Sequence, residues 1–549
     1  MLELNCDIRY QSGGVKEEIN SINDERLTVK VNDIAAGARI EVFIDLKSEV
    51  EFEKAKLFLY QRYDEKDKIF ANGYQSWTRT CEKSIDETDK ELTVFAKLTD
   101  NILHLRPYGD YNFYDYTHKR GNIHSHNYTY IRKDKDYTLF GALTDDIGFT
   151  IFETDVKNST MNVITDIKGL VCHGRRKLFD FIIVYGDKNT VFDRFFAEQN
   201  VKLKTKEKLK GFTSWYNYYQ DINEEIIDRN IDNFIEFRNK GFDVNMFQID
   251  DGFETFVGDW LSIDKAKFPN GLIPLAKKIN KNFKSGLWLA PFVCETKSEM
   301  FQNHKEWILK DDNGNLVHAG HNWSGFYALD IYNIELQNHL EKVFDTVFNV
   351  WNFDLVKLDF LYAACLHPPK NKTRGKVMRD GMKLLRKWCG DKLILGCGVP
   401  LSSAYGLVEY CRIGCDISLD YTGGILSKII HNECVSSHDA ILDTIYRDPL
   451  NGRAFMNDPD VFLLRDDNIK MNKREKELVA TVNALFGSVL FTSDDFSKYQ
   501  NKETLEKLRQ VWELNSATNI KIEYQDKERF LITYELDGER DSVLIDAKK

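Results

Sequence analysis

The feature that most constrains this chain is an alternation of short apolar runs with helix-length segments between residues 211 and 495. The runs are GFTSWYNYY (211–219), VNMFQIDD, SGLWLAPF, FDLVKLDF, KLILGCG, YCRIGCD, AFMNDPD and SVLFTSDD, which makes eight strand candidates. Amphipathic stretches separate most of them. In EEIIDRNIDNFIEFRNKG (224–241), Ile227, Ile231, Phe234 and Ile235 fall on one helical face. Gly241 stands where a C-terminal cap is wanted. An eightfold βα alternation over about 285 residues has the length and rhythm of a TIM (β/α)8 barrel. Only about a dozen residues separate LILGCG from YCRIGCD, too few for a full crossover helix, so one βα unit is predicted to be degenerate.

The flanks differ in texture. Residues 1–205 carry short alternating runs such as RLTVKVND, ARIEVFIDL, KELTVFAKL, YTLFGALT and KLFDFIIVYGD, which predict an N-terminal antiparallel β-sandwich. KLKTKEKLK (202–210) reads as a charged linker. After the barrel, assigned to 206–495, a helix (TLEKLRQVWEL) and the runs NIKIEYQ, RFLITYEL and SVLID predict a small C-terminal β domain over 496–549. The expected architecture is therefore α/β, a barrel between two β units.

Charge excludes some functions. Lys plus Arg number 75 and Asp plus Glu 86, a net charge of −11, with no basic block of the kind that grips a phosphate backbone. Nucleic acid is not an expected partner. No run approaches the 18 or so apolar residues that span a bilayer, and MLELNCDIRYQ lacks the basic and apolar regions of a signal peptide, so a cytoplasmic location is expected. Ten cysteines are too few for a disulfide scaffold, and Cys411 and Cys415 have no second pair to complete a zinc site.

In a TIM barrel the functional side chains stand at the C-terminal ends of the strands. Here those ends are acidic: Asp250 and Asp251 after strand two, Asp359 after strand four, Asp416 after strand six, Asp458 and Asp460 after strand seven. A single strand-end Asp is explained by turn formation or helix capping. Asp359, inside an apolar stretch, is costly to bury without a partner or a task. Lys357 and Asp359 share a face, as do Arg412 and Asp416. Each strand thus sets a cation beside a carboxylate. Two readings are open: ion pairs that fix the barrel mouth, or two acids under different electrostatic control, as glycoside hydrolysis needs. Aromatic residues are 13% of the chain, and Trp215, Tyr216, Trp260 and Trp288 fall near the same rim. Ring faces beside acids suit a sugar.

IDDGFETFVGDW, GLWLAPF, KLDF, LGCGVP and RIGCD, with FTSWYNYY, MNDPD and the N-terminal ANGYQSW (71–77), closely resemble segments of glycoside hydrolase family 36, whose principal members are retaining α-galactosidases. The resemblance extends over nearly the whole chain and implies a terminal α-galactoside as substrate. It implies Asp359 as nucleophile and Asp416 as acid/base, with Asp250 and Asp251 on the sugar's 4- and 6-hydroxyls. Lys357 and Arg412 would bond ring hydroxyls, Trp288 and Trp215 would line the pocket, and Cys397 would lie near the 2-position. Tyr74 or Trp77 would reach over from the sandwich. Relatives often carry Trp where this chain has Tyr74. No metal or cofactor is implied, and a homo-oligomer is compatible with the family.

Three alternatives stand beside this reading. The same two aspartates could serve an α-N-acetylgalactosaminidase or a galactosyl transferase, given room around Cys397 and the loop holding Ser402 and Ser403. A metal-dependent barrel hydrolase could use the aspartates as ligands, but the histidines available, His318, His321 and His367, lie in loops. A sugar-binding protein without turnover would bind galactose only.

Overall fold

The computed structural model describes residues 3–424, 430–499 and 502–548. Its centre is a curled parallel sheet. We number its strands β1 (Leu209–Thr213), β2 (Met246–Ile249), β3 (Lys284–Leu289), β4 (Leu355–Leu358), β5 (Leu393–Gly396), β6 (Tyr410–Arg412), β7 (Met456–Asp458) and β8 (Val489–Thr492). Neighbours pair in parallel from β1 round to β7, and β8 pairs with β1. The ring closes because the segment after β7 turns at Asp460, whose φ is +76°, and Val461–Phe462 then pairs with β8. Every residue of β2 and β8 is buried, as expected where helices cover a parallel sheet.

All eight expected strands are present, with two differences in extent. β1 begins inside the charged stretch read as a linker, at Leu209, and ends at Thr213. Trp215–Tyr218 is a helical turn rather than a continuation of the strand. The helix after it, Glu224–Asn239, is capped by the Asn223 side chain and buries Ile227, Ile231 and Phe234. The degenerate unit between β5 and β6 holds only the four-residue turn Leu401–Ala404.

The N-terminal strands form one antiparallel network of 12 strands. The 24-residue strand Gly37–Tyr60 joins it, pairing with four others. The network folds over on itself: Phe140 and Phe152, on strands separated by three others in the sheet order, meet at 6.3 Å. The run KELTVFAKL is not a strand. Val94–Leu98 is helical, started by Thr93, whose side chain accepts from Ala96 N–H, and Val94, Phe95 and Leu98 stay exposed. An alternating pattern needs a partner strand to become β, and among the described residues no strand pairs with it.

The outer face of this network packs on the barrel. Phe70, Tyr128 and Tyr130 stack together and meet Phe192 of the helix Lys188–Glu198 and Tyr446 of a barrel helix. The C-terminal strands Thr518–Asp526, Arg529–Leu536 and Glu539–Asp546 form a three-stranded sheet, and its Tyr524 stacks on Tyr446 at 5.8 Å. Among the described residues no helix is long and apolar enough to cross a membrane.

One side chain ties the N-terminal unit to the barrel mouth. Arg447, fully buried, donates to Asn72 Oδ1 (3.3 Å) and to the carbonyls of Ser76 (2.8 Å), Ile413 (2.8 Å), Gly73 (3.4 Å) and Gln75 (3.1 Å). These use all five guanidinium N–H groups. Replacing it by Met orphans several buried acceptors at about 1–3 kcal/mol each. We expect Arg447→Met to lower stability by at least about 3 kcal/mol, read as a fall in the thermal or urea unfolding midpoint; an unchanged midpoint would refute the clamp.

Candidate active site

At the C-terminal ends of the strands lies a cavity of about 260 Å³. Asp250, Asp251, Trp288, Lys357, Asp359, Asp416, Trp215 and Trp77 all line it. In-register pairing sets Trp288 of β3 beside Lys357 of β4, so both side chains enter the barrel on the same face. Asp359 continues that face two residues on.

The Asp359 carboxylate is held by donors. Trp288 Nε1 donates to Oδ2 at 3.0 Å, and the Phe360 N–H donates to Oδ1 at 2.9 Å. Phe360 itself adopts a left-handed φ of +54°. Lys357 Nζ stands 3.9 Å from Oδ2 and 3.0 Å from Asp250 Oδ2. Burial pushes the Asp359 carboxyl above the ordinary carboxylate range and the Lys357 charge pulls it back, with a net rise. Burial also works against the charge on Lys357, but Asp250 and Asp359 outweigh it and keep the ammonium protonated.

Asp416 has a different setting. Its side chain is 38% exposed, against 10% for Asp359, so it can meet solvent water. Arg412, buried beneath it, donates from Nη1 to Asp416 Oδ1 (2.8 Å), from Nε to Asp458 Oδ2 (3.2 Å) and from Nη2 to Asp460 Oδ1 (2.8 Å). Its guanidinium therefore sits behind the cavity wall, occupied by three carboxylates. Tyr216 OH and the Ile417 N–H both donate to Asp460 Oδ2. Burial raises Asp460 to about 7, with Arg412 opposing and the charges of Asp416 and Asp458 adding to the rise.

Asp250 accepts from Gln248 Nε2 (2.8 Å) and Thr213 Oγ1 (3.2 Å) besides Lys357. Asp251 Oδ2 accepts from Trp323 Nε1 (2.9 Å) and Gln220 Nε2 (3.0 Å). Its Oδ1 and Glu254 Oε1 are both buried without a donor. Burial and the Asp251 charge push Glu254 well above the ordinary range, so a proton held by Glu254 satisfies both oxygens.

Two expected positions, Tyr74 and Trp260, are corrected. Tyr74 does not reach the cavity: its hydroxyl lies 3.5 Å from Cys365 Sγ and its ring packs on Phe113, His126 and Phe149. The carbonyls of Gly73, Gln75 and Ser76 turn towards Arg447, which directs Trp77, not Tyr74, into the barrel mouth. Trp260 is fully buried behind Trp288, ring to ring at 5.8 Å, rather than at the rim. Cys397 is buried between Asp359 and Trp77, whose Nε1 donates to Sγ at 3.4 Å. Of the loop histidines, His321 lines the cavity and His318 and His367 do not. Sequence reasoning missed Trp323, Tyr108, Glu254 and Glu433. Trp323 sits in a loop and Tyr108 in a single helical turn, neither with periodicity, and Glu254 had only its closeness to Asp251 as a signal.

The melibiase family model matches residues 183–376. Over those residues the chain is similar to the melibiase family. The match spans β1 to β4 and so includes Asp250, Asp251, Trp288, Lys357 and Asp359. Sequence relatives include alpha-galactosidase 2 of Pediococcus pentosaceus, 26% identical over 26% of this chain and 20% of that protein. Alpha-galactosidase AgaA of Geobacillus stearothermophilus is 31% identical over 19% of this chain and 15% of that protein. The matched part thus spans a fifth or less of these relatives. The fold resembles that of TtGalA, an alpha-galactosidase from Thermus thermophilus solved with p-nitrophenyl α-D-galactopyranoside, with TM-score 0.73, 24% identity and 98% of each chain covered. It also resembles a Geobacillus stearothermophilus GH36 AgaA variant solved with raffinose, with TM-score 0.62, 13% identity and coverage of 98% of this chain and 80% of that one.

The cavity carries a stability signature at Glu254. An acid whose folded pKa is raised binds more protons folded than unfolded, so stability falls as pH rises above its unfolded value of about 4.3. Gln keeps the donor and cannot ionise. Relative to wild type, Glu254→Gln should gain up to about 1.4 kcal/mol per pH unit above about pH 4.3. Urea unfolding from pH 4 to 8 measures the difference, and equal slopes for both proteins would refute the shared proton.

Proposed function

We propose that this chain is a retaining α-galactosidase that works by double displacement through a covalent glycosyl-aspartate. The observation that carries the reading is the unequal treatment of two carboxylates on one cavity: Asp359, buried, held by two hydrogen-bond donors and faced by the Lys357 charge, and Asp416, half-exposed and carried on Arg412. Retention needs one ionised carboxylate to attack and one carboxyl to give and take a proton.

In this mechanism Asp359 attacks the anomeric carbon while Asp416 gives its proton to the departing glycosidic oxygen. Asp416, now ionised, takes a proton from water, and that water opens the ester on Asp359. Trp288 Nε1, Phe360 N–H and Lys357 stabilise the carboxylate before attack and again when it leaves. Asp250 and Asp251 close the far end of the cavity as acceptors for galactose hydroxyls, and Trp215, Trp77 and Trp323 supply ring faces. Cys397 is fully buried under Trp77, and the Ser402 and Ser403 hydroxyls both turn to Asp145 Oδ2 at 2.7 Å, away from the cavity. This favours galactose over N-acetylgalactosamine.

Two outcomes are expected on p-nitrophenyl α-galactoside. Asp359→Ala should lose nearly all turnover, and azide should restore release of nitrophenol while forming the β-galactosyl azide; robust turnover without azide would sink the assignment. For wild type, the raised Asp359 carboxyl places the acid limb of kcat/KM above the usual carboxylate range, activity falling as pH drops through it. Lys357→Met removes the charge that opposes this rise, so its acid limb should move to still higher pH. A limb that stays put would separate Lys357 from Asp359.

A further inference from the structure

Away from the cavity, the N-terminal network holds a second cluster of titratable side chains that the mechanism does not use. His124 and His126 are two apart on the strand His124–His126, so both rings leave the same face. Asp110 lies just beyond the helical turn Arg106–Tyr108. Its Oδ2 is 2.8 Å from His124 Nε2 and 2.8 Å from His126 Nε2.

Each of the three side chains is oriented from behind. Asp89 Oδ2 lies 2.5 Å from His124 Nδ1 and ion-pairs through its other oxygen with Lys83. Tyr116 OH donates to Asp110 Oδ1 at 2.7 Å, which turns Oδ2 towards the imidazoles. Tyr114 stacks on the His124 ring at 4.0 Å, and Tyr74 packs edge-on to His126 at 5.2 Å. Two imidazole nitrogens thus converge on one carboxylate oxygen, the three atoms all within 4.8 Å of one another. A carboxylate on the remote nitrogen of a histidine is also the usual outer partner of a metal-bound imidazole, since it fixes the tautomer that leaves Nε2 free.

We propose that Asp110, His124 and His126 bind one divalent first-row transition-metal ion of the zinc class. Nitrogen and carboxylate ligands without thiolate fit that class, and water completes a four-coordinate site. Bonds of about 2.0–2.1 Å set tetrahedral ligand atoms roughly 3.3 Å apart, so the cluster opens by roughly half an ångström to admit the ion. On binding, His124 gives its Nε2 proton to solvent, and His126 shifts its proton to Nδ1.

The site would be structural and separate from the acids at the barrel mouth. Asp110 anchors the segment whose Leu105 and Tyr108 line the cavity, and Tyr111 OH from the same segment donates to Glu433, another lining residue. The ion would therefore pin one wall of the cavity to the N-terminal network.

The test uses the full-length chain stripped by a chelator and titrated with Co2+, then Zn2+. Wild type should bind one equivalent of Co2+ with the visible absorption of a four-coordinate ion, lose that absorption to Zn2+, and unfold at a higher temperature with metal than without. His126→Ala should lose the equivalent and the thermal shift. Asp89→Asn, which keeps all three ligands, should bind about 10–100-fold more weakly. No absorption and no thermal shift in wild type overturns the proposal whether or not the variants fold, and so does full-affinity binding in His126→Ala.

Discussion

The buried guanidinium of Arg447 is the contact on which the assembled site depends. A parallel barrel presents the ends of its strands but does not cover them, and this chain covers part of its mouth with a loop from another sheet. That loop, 72–77, contains no regular structure of its own, so its carbonyls need donors when they are buried. Arg447 supplies them, and one further N–H reaches Ile413, at the end of β6. The same side chain thus sets the position of Trp77 and of the strand that leads to Asp416. Val399 N–H donates to Ser76 Oγ at 3.1 Å and Ser76 N–H to the Val399 carbonyl at 3.0 Å, which locks the loop to the end of β5 as well.

Within the cavity, charge is arranged by burial rather than by number. Asp250, Asp251, Asp359, Asp416, Asp458 and Asp460 crowd one end of the barrel, and only two buried cations, Lys357 and Arg412, stand among them. Crowding of this kind makes a buried acid costly to ionise. Burial and the Asp251 charge push Glu254 well above the ordinary carboxylate range, and burial with the charges of Asp416 and Asp458 raises Asp460 to about 7 against the pull of Arg412.

Much of this was legible in the sequence because β-strand geometry is regular. Two-residue spacing put Lys357 and Asp359 on one face, and the apolar runs located every barrel strand. The acids at the strand ends followed from the architecture alone. What the sequence hid was set by contacts distant along the chain. Whether Tyr74 or Trp77 enters the mouth is decided by Arg447, some 370 residues later, and no local pattern encodes it. Trp323 reaches Asp251 from a loop between β3 and β4 in a left-handed conformation, φ +54°, which no periodicity announces. KELTVFAKL alternates like a strand, yet Thr93 caps a helix there and no described strand pairs with it. Trp260 failed for the opposite reason: a rim position in the chain became a core position once Trp288 packed over it.

These failures share a cause that bears on how the site is built. The barrel contributes groups fixed by backbone regularity, and those are the charged ones: Asp250, Lys357, Asp359 and Arg412. Trp288 stands on β3, but the rest of the aromatic wall, Trp77, Tyr108, Trp215 and Trp323, comes from segments outside the strands, whose positions depend on individual side-chain anchors. A charge misplaced by one ångström in a dry cavity costs far more than a ring displaced by the same amount, because Coulomb energies at low dielectric fall steeply with distance while stacking tolerates sliding. The division follows from that difference. Rigid strands hold the groups whose distances matter most, and anchored loops hold the surfaces that select what enters.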